Sequence, residues 1–404
     1  MKPKKYRHLF LLGILIRLLM MPFFAHEDIL HTYRRAERLA FQGVPFYKFS
    51  DPLPHLIEGL NLKFFAIFTG PDYFQNIHQL FPYIEQLNAK LFIFKLPYLL
   101  AEIILWYCLF KFLIKLNKTN VLLVVFNPIM LYSVYLFGRY ESFTLLAIVL
   151  LMTQLKKQIN LLKVGILLLL VVMTRFSLLM ILPAWLFLKL KPRAKIGSLL
   201  GLSLVGSLAV IKKGGLAKFG NYLQHSAHTQ YLFQAKISLG HHAYLYLFFV
   251  ILAVFLWILV KTLREAEEQS AELSNLQRFS LASLVIIISY YASAIFHPQY
   301  ASWFLPFFYI IFDQSRDKKI LKKLFITINA LFFVVIFFWG TSTTLGLLTP
   351  TSRFAAFPPM EDLMYFYDYR QLSNLGKSLL SGTFIFLLIE ILNLVKKYKI
   401  TNGH

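Results

Sequence analysis

Cysteine is nearly missing from this chain: one residue, Cys108, in 404. That excludes an intrachain disulfide and a cysteine-based zinc site. Charged residues are scarce as well, at 15% against about 25% in soluble globular proteins. Acidic side chains are the scarcer sign, 19 against 42 lysines and arginines. What fills the space is apolar: 58% of residues are hydrophobic and 17% aromatic, Phe above all. Too little polar surface remains to cover a water-soluble core of this size, so an ordinary soluble domain is excluded. No internal repeat, low-complexity segment or separate soluble domain is found.

A net charge of +23 in a soluble protein would suggest phosphate neutralisation on nucleic acid. Here the basic residues sit in short clusters between apolar stretches, as in cytoplasmic loops of membrane proteins, and nucleic acid is set aside as a partner. A spanning helix needs about 20 mostly apolar residues, fewer where polar ends snorkel. About twelve segments qualify: residues 9–24, 91–113, 120–137, 142–155, 161–174, 176–190, 196–211, 244–260, 281–296, 301–312, 321–339 and 379–395. The first apolar run could pass for a signal peptide, but Arg17 interrupts it and many spans follow, so an uncleaved first helix is expected. With the N-terminus inside, alternate turns bring basic clusters to the cytoplasm, among them Lys111, Lys115 and Lys118, Lys156 and Lys157, Lys318 and Lys319, and Lys396 and Lys397. Both termini are therefore expected inside.

The expected fold is an all-α, polytopic membrane bundle of about twelve helices forming one domain over residues 1–404. Three long outer connections stand out: residues 25–90, 212–242 and 340–377. The first is expected to hold amphipathic interfacial helices at 29–41 and 73–88.

Function concentrates on loops held by a rigid scaffold, so the outer loops come first. His26-Glu27-Asp28 follows the first span directly. Two adjacent carboxylates at a membrane surface can accept a proton, or hold a divalent ion such as magnesium or manganese. Asp28 could equally cap the helix that follows. Arg34, Arg35 and Arg38 come next, then Gly43-Val44-Pro45-Phe46-Tyr47 and Asp51-Pro52-Leu53-Pro54-His55. Positive charge outside runs against the inside bias; an anionic lipid substrate would explain it, and so would ordinary headgroup contact. Phe126-Asn127-Pro128 should kink the third span, and Gly138-Arg139-Tyr140-Glu141-Ser142 closes it. Arg139 and Glu141 have two readings, a mutual pair at the interface or functional groups, since ionisable groups at such depth are functional candidates. In the second loop His225 and His228 lie among basic and aromatic residues; they share a face if helical, but lack the third ligand of a zinc site. His297-Pro298-Gln299-Tyr300 lies at a late outer turn. Lys95 and Glu102 are two helical turns apart and may share a face. Arg17 and Arg175 are expected to snorkel, with no chemistry assigned.

Taken in order, Glu27-Asp28, Gly-Val-Pro-Phe-Tyr, Asp-Pro-Leu-Pro, Phe-Asn-Pro, Gly-Arg-Tyr-Glu-Ser and His-Pro-Gln-Tyr resemble the GT-C superfamily of polyprenyl-phosphate-sugar-dependent glycosyltransferases. Within it, the pattern is similar to the branch of the first GPI-anchor mannosyltransferase and its bacterial relatives. The resemblance covers most of the chain through short, degenerate motifs. It implies inverting transfer of a hexose, mannose in that branch, from a polyprenyl-phosphate donor to a lipid or glycan acceptor on the non-cytoplasmic face. The family's first-loop carboxylate serves as base, a role that falls on Asp28, with Glu27 second. Where the family often has Asp-x-Asp, His26 takes the first position, and no metal ligand is carried over. Arg139 and Glu141, and His297 and Tyr300, match elements near the donor cavity; Arg34, Arg35, Tyr47, His225 and His228 join them as substrate-binding candidates. A bacterial plasma membrane is the expected location. The rival reading is a transporter or lipid flippase, which would more often show repeats and paired broken helices.

Overall fold

The computed structural model describes residues 3–77, 85–156, 160–191, 197, 201, 207, 232–240, 243–268, 273–294, 297–339, 343–348, 350 and 369–397. His225 and His228, with most of the second and third outer loops, lie outside the described residues.

The chain is a helical membrane protein. Six helices among the described residues are long and apolar enough to cross a membrane: Leu87–Leu113, Lys118–Leu136, Leu247–Glu268, Asn275–Ser293, Lys318–Phe337 and Arg370–Lys396. The predicted span at 196–211 lies almost wholly outside the described residues, and the other predicted spans form shorter helices. Helix α1 (Arg7–Met20) has 14 residues, about 21 Å at 1.5 Å per residue. Helix α2 (Glu27–Phe41) follows, then α3 (Pro52–Thr69) and α4 (Leu87–Cys108). The third span is broken rather than kinked. Helix α5 (Lys118–Val125) stops, Asn127 caps a new turn α6 (Pro128–Leu131) by accepting the Met130 N–H, and a wide turn at Tyr132–Leu136 completes it. Proline at the first helical position needs no N–H partner, so the sequence restarts a helix instead of bending one. Next come α7 (Glu141–Lys156) and α8 (Leu161–Thr174), then a 3-10 stretch at Phe176–Phe187.

Strands β1 (Lys236–Gly240) and β2 (Ala243–Tyr246) pair antiparallel, with Lys236 opposite Tyr246. This hairpin departs from the all-α expectation. Its Lys236 ammonium lies 4.0 Å from the Tyr244 ring centroid. Helices α9 (Leu247–Glu268) and α10 (Asn275–Ser293), a 3-10 segment Pro298–Phe304, α11 (Leu305–Gln314), α12 (Lys318–Phe337) and α13 (Tyr369–Lys396) complete the described chain.

Burial separates the centre from the rim. In α10, 94% of the apolar window is buried, against 28% in α9. Helix α10 packs against α9, α11, α13 and the 3-10 stretch Phe176–Phe187. It is buried on all faces and belongs inside the bundle; α9 leaves Phe249, Val254 and Trp257 outward, where lipid costs them nothing.

In the connection after α1, α2 packs along α3. The close approach depends on Gly59, where an added Cβ would fall 2.8 Å from Leu39 Cδ2 and 3.2 Å from the Ala36 carbonyl oxygen. Helix α3 was not expected. Its two prolines near the first turn suit a helix start, and its hydrophobics at Leu60, Phe64, Ile67 and Phe68 follow helical spacing and point outward. The expected helix at 73–88 does not run through its described parts: Pro71–Phe74 is a 3-10 turn, Asn76 and Gln86 have positive φ, and Leu87–Asn88 already begin α4, while residues 78–84 lie outside the described residues.

Candidate functional site

Asp28 stands in the first turn of α2. The cap of that helix is His26, whose Nδ1 accepts the Asp28 N–H at 3.1 Å. The alternative role of Asp28 as cap is thereby corrected: the imidazole satisfies the orphan donor, and the carboxylate is left for other partners. Its side chain is 31% exposed. Arg139 Nη1 lies 3.8 Å from Asp28 Oδ2, beyond hydrogen-bond length, while donating to Thr32 Oγ1 at 3.2 Å. The buried Arg139 Nε has no hydrogen-bond partner among the described residues.

The approach of Arg139 to α2 is set by its neighbour. Gly138 has φ +80°, and an added Cβ would meet Ile29 Cδ1 at 2.7 Å. Only glycine suits both the left-handed backbone and the contact. Phe137 then stacks on His26 with ring centroids 3.9 Å apart, and meets His297 edge-on at 6.1 Å. His297 continues the wall by stacking on Tyr300 at 4.8 Å, and Tyr300 stacks on Trp303 at 4.5 Å.

Electrostatics favour an ionised Asp28. Burial works to raise the Asp28 carboxyl, but Arg139, with smaller help from His26, His297 and His31, holds it below its ordinary value. Burial lowers His26 against the pull of Asp28 and Glu27, consistent with a neutral ring that accepts through Nδ1. Asp28 is therefore an anion at neutral pH, with one face toward solvent.

A second acid–arginine group lies beside it. Arg175 is buried, not snorkelling as expected. Its Nη1 donates to Asp51 Oδ2 at 3.2 Å and to the Tyr140 hydroxyl at 2.9 Å, and its Nε donates to Glu141 Oε1 at 3.1 Å. Asp51 also accepts from the Tyr140 hydroxyl at 2.7 Å and from the Phe176 N–H at 3.0 Å. Glu141 is fully buried and accepts the Trp303 indole N–H at 2.7 Å. Thus Arg139 and Glu141 do not pair with each other, and Glu141 is committed to the protein rather than open to a substrate. Tyr300 is buried too, forming wall between His297 and Arg175.

The other expected residues spread outward. Glu27, Arg34 and Tyr47 are exposed, Tyr47 by 60%. Arg35 turns toward His55, with Nη1 3.5 Å from Nε2. His55 is itself buried with Glu58 and Tyr98. Among the described residues, no three His, Cys, Asp or Glu side chains converge in a way that could hold a metal ion.

Arg17 also proves buried. It pairs with Glu102 through Nε at 2.7 Å and Nη2 at 2.6 Å, and Tyr135 donates to the same carboxylate at 2.5 Å. Lys95 and Glu102, expected to share a face, are both buried but serve different partners, since Lys95 donates to backbone carbonyls. Residues 51 and 175, missed as site neighbours, gave one signal: isolated charges beside apolar runs. Their proximity to each other spans 124 positions and has no local signature.

An apolar cavity of about 430 Å³ opens nearby, lined by Tyr132, Leu136, Phe333, Val334, Phe337 and Thr343, among others. Tyr132 forms its link to the site: its ring lies 6.0 Å from that of Phe137, and its hydroxyl donates to the Thr343 carbonyl at 2.9 Å.

Comparison of the chain with protein-family models, curated proteins and solved structures finds no match in any of the three.

Proposed function

We propose that this protein is a membrane-embedded, inverting glycosyltransferase of the GT-C type, moving a hexose from a polyprenyl-phosphate donor to a lipid or glycan acceptor on the non-cytoplasmic face. The observation that carries the reading is the loose Asp28–Arg139 pair, a partly exposed carboxylate 3.8 Å from a buried guanidinium with an unpaired Nε. Buried charges that serve the fold alone are held by close, complete hydrogen bonds; this pair is not. The anion suits a general base, and the cation suits a phosphate.

In the proposed reaction Asp28 takes the proton of the acceptor hydroxyl as its oxygen attacks the anomeric carbon. The bond from that carbon to the phosphate oxygen breaks, and its electron pair leaves with the lipid phosphate. Arg139 stabilises the charge gathering there. The cavity beyond Phe137, with its aromatic and aliphatic lining, is suited to the hydrocarbon of such a substrate. Mannose as the sugar, about twelve spans and the bacterial plasma membrane rest on the resemblance, composition and charge pattern. Glu27 and Asp28 would be the protein's carboxylate ligands to any divalent ion the reaction uses.

The test uses membranes containing the protein, a labelled polyprenyl-phosphate hexose and a panel of acceptors, comparing native chain with Asp28→Asn. Transfer by the native protein that is lost in the variant is expected. Undiminished transfer in Asp28→Asn would remove the catalytic assignment. Labelling of His26→Cys from outside, and of Lys319→Cys from inside, checks the orientation; the reverse pattern inverts it.

A further inference from the structure

We infer that Lys95 is a positioning residue that holds the Asp28 carboxylate against Arg139, by tying together the two backbone segments that carry them. The inference rests on the reading of Asp28 as the base. Lys95 projects from α4, no side chain of which hydrogen-bonds Asp28 or Arg139 among the described residues. Its ammonium is wholly buried and donates to two carbonyls, Phe24 in the link from α1 to α2, and Tyr135 at 3.0 Å in the wide turn before Gly138. Phe24 lies two residues before the capping His26; Tyr135 lies two before Phe137, the ring stacked on that histidine, and four before Arg139. One side chain thus fixes both strands of backbone on which the Asp28–Arg139 spacing depends.

The chemistry of the choice supports a specific role. A buried ammonium is costly in a membrane protein unless a counter-ion or hydrogen bonds offset it. Among the described residues Lys95 makes no ion pair with a carboxylate, unlike Arg17, which has Glu102. A methionine or leucine would fill the same space more cheaply if packing were the only requirement. What an ammonium adds is several donors at the end of a long stem, here aimed at two carbonyls from separate segments. Gly138 allows the second segment to close on α2, and Lys95 keeps it there.

A cysteine reporter reads the spacing without relying on catalysis. In a Cys108→Ala background, Asp28→Cys is titrated with a membrane-impermeant thiol reagent between pH 6 and 10. The groups facing it are Arg139 across the site, His26, His31 and Glu27 on its own helix, and His297 from the late turn. With Arg139 close, the midpoint is expected below the ordinary thiol value of about 8.5. Adding Lys95→Met is expected to raise the midpoint by about one unit, a tenfold loss of thiolate in the lower range. Arg139→Met should raise it similarly, and the two together should do little more than either, because they act on one contact. Lys95→Gln, one bond shorter and uncharged, should give a smaller rise, and carries the test if the methionine variant does not fold. An unchanged midpoint in both Lys95 variants overturns the proposal, whatever their melting temperatures. In the transfer assay with Asp28 intact, Lys95→Met should lower kcat with KM nearly kept. If Asp28→Asn leaves transfer unaffected while the reporter still shifts, the catalytic reading falls and the tether stands.

Discussion

Two arginine–carboxylate groups sit side by side where α2, α3 and α7 meet, and they are built differently. Arg175 is enclosed by Asp51, Glu141 and Tyr140, and both carboxylates take further donors from Phe176 and Trp303. Arg139 donates to the Asp28 backbone carbonyl at 3.4 Å but reaches its carboxylate only at 3.8 Å, across a gap that solvent partly enters. Desolvating an ion is expensive, and good hydrogen bonds are the usual compensation. The first group is compensated from within the protein and acts as a brace between α3, α7 and the 3-10 stretch after α8. The second is compensated only in part. The difference teaches where a ligand's charge would be welcome.

The largest expected effect breaks the comparison at its functional end. Asp28→Asn should lower transfer about 10²- to 10⁴-fold, the usual range for a general base. Its unfolding in detergent should shift by less than about 1 kcal/mol, as for surface ion pairs. A variant that melts early would place Asp28 with the braces instead. Glu141→Gln is the mirror case. Removing one partner of a buried pair costs about 3–5 kcal/mol, so this variant should lose most of its thermal stability, and a calorimetric or fluorescence melt would reveal it. Arg139→Met should lower kcat/KM for the donor about tenfold or more, since a hydrogen bond to a charged group contributes about 1.5–3 kcal/mol, with most of the loss in kcat because the charge it meets grows as the lipid phosphate leaves.

The smallest effect concerns pH. Burial acts to raise Asp51, but Arg175, the Phe176 N–H and the Tyr140 hydroxyl hold it below its ordinary value, as Arg139 does for Asp28. A depressed carboxyl stabilises the fold fully above its unfolded value of about 3.9. That stability is lost as pH falls below it, through the lower folded value. Acid melts recorded from pH 6 down to pH 2 should therefore lose less stability per pH unit in Asp51→Asn than in native protein. Asp28→Asn should flatten the same limb far less, because its carboxylate is partly solvated. Equal slopes in the two variants would erase the distinction.

Several parts of this architecture could be read along the chain. The apolar segments at 91–113, 281–296, 321–339 and 379–395 coincide with long helices, because twenty apolar residues in succession have few other places to go. Asp28 stood out as an acid in a chain poor in acids, directly beyond a hydrophobic run. Gly43 marked the end of α2, and it has the left-handed φ expected of a helix stop. Other parts had no local sign. Helix α3 carries polar His55 and Glu58 on the face toward Tyr98 and apolar side chains on the other, a pattern that reads as neither span nor loop. The expectation that Arg17 and Arg175 snorkel failed because a snorkelling arginine and a buried, paired one have the same neighbours in sequence. Their carboxylate partners are 85 and 34 to 124 positions away. The cap on α2 fell to His26 for a similar reason: a ring held by Phe137 competes with the carboxylate only once the late part of the third span has closed.

Composition alone determined that the chain lives in a membrane, since its apolar residues outnumber what any water-facing surface could bury. Residue order alone placed an acid next to the first helix and a Gly-Arg pair at the end of the third. Only the tertiary structure decided which arginine meets which carboxylate, and how tightly. The strength of a charge pair depends on distance and on the water left around it, and neither is a property of position along the chain.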